Sequence, residues 1–109
     1  MKLKTFAIVL ILVILMSGCI SAKEKIPAPV EDAKQFCITA CIRSMADGTL
    51  TEAGPCLNQE IAEDWVCDIA HSPRQAVDDL AENQCESFIN GETHHFVEVT
   101  TSCAFIRAE

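Results

Sequence analysis

The chain has 109 residues, 16 acidic against eight basic, and a formal net charge of −8. That length holds a single domain. The charge repels phosphate backbones, and no basic patch interleaved with aromatics offsets it, so nucleic acid is excluded as a partner.

In chain order, Lys2 and Lys4 come first, then an uninterrupted apolar run of 11 residues from Phe6 to Met16. A basic n-region followed by an apolar stretch of about 7–15 residues is the layout of a secretory signal. A membrane-spanning helix needs about 20 apolar residues, so the run is short for one. The small residues Ser17 and Gly18 then precede Cys19. The stretch Leu15-Met16-Ser17-Gly18-Cys19 resembles the lipobox of prokaryotic lipoproteins, with Met16 in the place where Leu is usual. The resemblance implies that the Cys19 thiol carries a lipid and that the chain is cut just before it. Residues 1–18 are then a signal peptide. The resemblance further implies that Cys19 anchors the mature protein to the outer, extracytoplasmic face of the cell membrane. Removal of Lys2 and Lys4 leaves six basic residues against 16 acidic ones, a charge of −10. Such a surface favours cations or a basic partner.

Residues 19–30 read as the anchor and a tether. Pro27 and Pro29 stiffen it, and Ile20 to Val30 extends no further than about 35–40 Å. Residues 31–109 read as the folded domain. Glu31 to Asp47 has helical periodicity, with Phe36, Cys37, Ala40 and Cys41 on one side and Ile38, Ile42 and Met45 broadening it. Glu31 and Asp32 suit the first turn, and Gly48 ends the element. Between Thr49 and Asp64 the pattern is ambiguous. Gly54-Pro55 is a break, and Asn58 to Glu63 reads as one helical turn. Residues 65–70 read as a strand with Trp65, Cys67 and Ile69 on one face, closed by His71-Ser72-Pro73. Arg74 to Asn83 is an acidic loop or short helix, and Asn90-Gly91 is a turn. Residues 94–100 are the clearest strand, with Val97 and Val99 opposed to Phe96 and Glu98, and 103–107 reads as a third. The expected fold is a small disulfide-rich α+β domain, one N-terminal helix packed on a short antiparallel sheet.

Cys37, Cys41, Cys56, Cys67, Cys85 and Cys103 form an even set beside Cys19. A domain this small benefits from covalent staples, at about 2–4 kcal/mol each. Six cysteines allow fifteen pairings. Cys37 and Cys41 point the same way from one helix face, and bridging them strains that turn. Twelve pairings remain, and the working choice among them is Cys41–Cys56, Cys37–Cys67 and Cys85–Cys103. A Cys-held zinc needs a second close pair, which the chain lacks, and there is no Cys-x-x-Cys redox motif.

Asp68, His71, Ser72, His94 and His95 are residue types a hydrolase uses. No Gly-x-Ser-x-Gly, His-Glu-x-x-His or glycine-rich loop organises them. Asp47-Gly48-Thr49 fails as a calcium loop, since Arg43 and Met45 hold the preceding ligand places. Asp78, Asp79 and Glu82 are weak candidates for touching a divalent cation. Trp65 is expected to pack on a disulfide, and Phe88, Phe96 and Phe105 are expected in the core. No cofactor is expected. The sequence favours a non-catalytic domain, tethered through lipid on Cys19, that binds a protein or cell-envelope component or supports the envelope. The alternatives are a small-ligand or divalent-cation binder and, less favoured, a small hydrolase.

Overall fold

The computed structural model describes residues 24–109. The leader, Cys19 and the start of the tether lie outside them. The protein is a small disulfide-rich α+β domain in which one long helix packs on a four-stranded mixed sheet of order β1-β2-β3-β4. The elements are α1 (Val30–Ala46), β1 (Cys56–Ala62), β2 (Trp65–Ile69), α2 (Glu86–Ile89), β3 (His95–Val99) and β4 (Phe105–Ala108), with short 3-10 turns at Ala76–Asp79 and Ala81–Asn83. No helix among the described residues is long and apolar enough to cross a membrane.

Helix α1 begins one residue earlier than its periodicity suggests, directly after Pro29, and Glu31 and Asp32 occupy its first turn. It buries a narrow stripe of Ala33, Cys37 and Cys41. Small side chains there let the helix lie close to the sheet, and larger ones are left outside. Phe36, Ile42 and Met45 are all about half exposed. The sheet answers with Trp65, Cys67 and Ile69 from β2 and Val97 and Val99 from β3, which form the core with the helix stripe. These are the alternate residues of each strand, as period-two side-chain geometry requires.

Three disulfides close this core: Cys37–Cys67, Cys41–Cys103 and Cys56–Cys85. The first joins α1 to the central strand, as expected. The other two correct the working choice. Cys41 bonds to Cys103 in the β3–β4 turn rather than to Cys56. Cys103 has φ 67° there. Cys56 lies on the far side of β2 from β4, where the segment leading into α2 brings Cys85 beside it.

Two further expectations are corrected. The sheet is not wholly antiparallel, since β2 and β3 pair parallel, Trp65 opposite His95 through Ile69 opposite Val99. Parallel neighbours need a long crossover, and the connection from Ala70 to His94 supplies it by passing over the sheet face opposite α1. Asn58 to Ala62 is not a helical turn but most of edge strand β1, and Glu63 opens the turn into β2. Register shifts on either side of Asn58 break its alternation, leaving Asn58, Gln59 and Glu60 all exposed. A bulged edge strand loses the period-two signature.

The end of the expected tether is docked on the domain. Trp65 Nε1 donates to the Ala28 carbonyl at 2.8 Å, Ala28 N donates to Glu63 O at 2.9 Å, and Lys25 pairs with Glu60. Trp65 is buried, hydrogen-bonded, and stacked against His95 with ring centroids 4.7 Å apart.

Candidate functional site

The crossover creates the site. On the face away from α1, β2 presents Val66 and Asp68, and β3 presents Phe96 and Glu98. Asp68 and Glu98 are register partners on adjacent strands, and each is the only acidic residue inside its strand. On β4, Arg107 stands opposite Glu98. The connection lays Arg74, Gln84, Cys85 and Phe88 over these residues, enclosing a pocket of about 130 Å³. Phe88, Phe96 and Phe105 are thus not core residues: Phe88 and Phe105 are 38% and 41% exposed, and Phe88 meets Phe96 edge to face at 5.4 Å.

The two carboxylates have different partners. Glu98 Oε1 accepts from Arg107 at 3.1 Å, and Oε2 lies 3.5 Å from Arg74 Nη1. Arg107 also covers the Phe96 ring at 5.0 Å, and Arg74 is held at its other edge by Asp79, Nε to Oδ1 at 2.8 Å. Asp68 is 8% exposed, and its Oδ1 is buried with no hydrogen-bond partner among the described residues. Burial, reinforced by the Glu98 charge and only partly opposed by Arg74, raises its carboxyl to about 7. An unpartnered buried polar atom is uncommon in a folded protein and calls for a reason.

The histidines are engaged elsewhere. His71 Nδ1 lies 2.9 Å from Asp78 Oδ1, and Asp78 Oδ2 accepts from the backbone N–H of His71 and Gln75. His94 Nδ1 lies 2.8 Å from Asp64 Oδ1, which also accepts the His94 backbone N–H at 3.0 Å. Burial works to raise both aspartates. The donors from Gln75 and His71 at Asp78, and from His94 at Asp64, outweigh it and hold both below the ordinary carboxylate value. The His71–Asp78 pair folds the start of the crossover onto itself, and the His94–Asp64 pair ties its end to the turn between β1 and β2. Gly54, at φ 71°, passes so close that a Cβ would sit 2.9 Å from Asp78 Oδ1.

Asp78, Asp79 and Glu82 are not brought together as cation ligands. Asp78 is committed to His71 and Asp79 to Arg74. Glu82 lines a separate hollow with Gln59, Glu86 and Ile89. Among the described residues no group of three or more His, Cys, Asp or Glu could hold a metal ion. A wider groove of about 580 Å³ runs between α1 and β1, past Phe36, Leu57 and Ile61, with Arg43 as its one charged residue.

No family model, curated protein or solved structure matches the chain.

The sequence marks Asp68 only as a hydrolase residue type and does not group Glu98, Arg74 and Arg107 with it. The available signal is the single acidic residue within each of two mostly apolar strands. Charges at such places are rarely left buried without a role or a partner.

Proposed function

We propose that this protein is a lipid-tethered, extracytoplasmic recognition domain that binds rather than catalyses. The observation that carries the reading is the closed cysteine set. All six cysteines of the folded domain pair with one another, which leaves Cys19, in its lipobox-like setting, as the seventh. Three disulfides also fit an oxidising, extracytoplasmic compartment. Because Lys25 and Ala28 bond to the domain, the five residues Ile20 to Glu24 separate Cys19 from the docked segment, and five residues span at most about 16–18 Å. The domain then works close to the membrane surface. Binding is favoured over hydrolysis because His71 and His94 each hold backbone through a buried aspartate, and the polar pocket is built from carboxylates and guanidiniums.

Metabolic labelling with an alkyne fatty acid tests the tether. The wild-type chain should take up the label and Cys19→Ala should not. An unlabelled wild type, or a labelled variant, refutes it.

A further inference from the structure

We propose that the pocket beneath the 70–94 connection binds a small organic primary ammonium group, its N–H donors on the Asp68 carboxylate and its alkyl carbons against Phe88 and Phe96. This rests on reading the protein as a binding domain and adds the chemistry of the ligand.

Three observations fix the class. The first is that Asp68 is the acceptor left open: it lines the pocket, is more than nine-tenths buried, and has an oxygen with no donor among the described residues. The second is charge. The groups facing Asp68 are Glu98 from β3, Arg107 from β4, and Arg74 and Asp78 from the connection, with Asp79 behind Arg74. With Asp68 ionised, three carboxylates face two guanidiniums, so a cation is favoured. The guanidiniums are not open to an anion, since Arg74 is engaged by Asp79 and Glu98, and Arg107 by Glu98 and Glu109. A calcium or magnesium ion wants about six oxygen ligands, and both Glu98 oxygens are already taken. The third is size and lining. A cavity of roughly 150 Å³ admits benzene, so about 130 Å³ of space beside two phenyl rings takes a short alkylamine. An ammonium with N–H groups satisfies the open oxygen, which a quaternary ammonium cannot do.

Asp68 must release its proton to receive the cation, so binding strengthens as pH rises through about 7. An Asp68→Asn background isolates the contribution of this carboxyl.

The test is an NMR titration of the full chain in detergent micelles, following the backbone amides of Val66, Phe96 and Glu98. n-Propylammonium chloride is the probe, with tetramethylammonium chloride and potassium chloride at equal ionic strength as controls. The expected result is saturable binding of propylammonium at pH 8 that neither control reproduces. It should weaken at least about tenfold at pH 5, where Asp68 is protonated, and by a similar factor in Asp68→Asn. Nα-Acetyl-lysine amide is a second probe. If it binds with equal affinity, the natural source is a lysine side chain; if it does not, the source is a free amine. No saturable shift, the same shift with potassium chloride, or undiminished binding at pH 5 overturns the inference. A failed titration on a chain that carries its lipid leaves the tether reading standing.

Discussion

Replacing Asp68 by asparagine keeps the shape of the side chain and removes a charge that the fold stabilises poorly. The Asp68 carboxyl moves from an ordinary 3.8 to about 7 on folding. Below 3.8 both folded and unfolded chains hold the proton, and the charge costs nothing. Between 3.8 and 7 the unfolded chain gives the proton up while the folded chain retains it, so stability falls as pH rises. Above 7 the full cost applies. About three pH units at about 1.4 kcal/mol each set a ceiling near 4 kcal/mol. Relaxation and water entry reduce such penalties, so we expect Asp68→Asn to be more stable than wild type by about 2 kcal/mol at pH 8, or roughly 8–16 °C in Tm. At pH 4 the two should agree within about 0.5 kcal/mol. Urea unfolding of both proteins at a series of pH values from 4 to 8, disulfides intact, gives the difference directly, and the other titrating groups cancel. A difference that does not change with pH, or a variant less stable at pH 8, would refute the reasoning. A stability gain joined to a loss of ligand is the trade expected where a binding site is kept at the expense of the fold.

Gly54→Ala forces a side chain into a left-handed backbone position and against Asp78 and the Ile69 carbonyl; it should cost about 2–3 kcal/mol in urea unfolding. The pair Cys41→Ala with Cys103→Ala opens a link of sequence separation 62 and should lose about 4 kcal/mol by the same measurement. Asp78 sits below the ordinary carboxylate value, so its contribution is present above about pH 4 and is lost on further acidification. Asp78→Asn should therefore be destabilised at pH 7 by about 1–3 kcal/mol, with the gap from wild type closing below pH 4 as unfolding midpoints are followed down to pH 2.

The sequence made the long helix and the two central strands legible for a plain physical reason: each carries an unbroken periodic pattern. Helical spacing excluded only the Cys37–Cys41 bridge, and of the working choice among the twelve remaining arrangements one pair, Cys37–Cys67, coincides with the structure. What was not legible depended on partners distant in the chain. Nothing local in Trp65–Ile69 or His95–Val99 distinguishes parallel from antiparallel pairing; the long connection between them decides it. Edge strand β1 lost its alternation to bulges. Cys56 and Cys85 find each other only because the crossover folds back over β1. The pocket shared this limit, since Asp68, Glu98 and Arg107 come from three strands and Arg74 from the loop above them.

The central claim is that Cys19 belongs to the membrane and the other six cysteines to the fold. Intact mass of the membrane-extracted protein, native and reduced, tests it most directly. The account predicts a chain that starts at Cys19, carries a lipid adduct, and gains six hydrogens when its three disulfides are reduced. A mass for the whole 109-residue chain without an adduct, or a smaller gain on reduction, would contradict it.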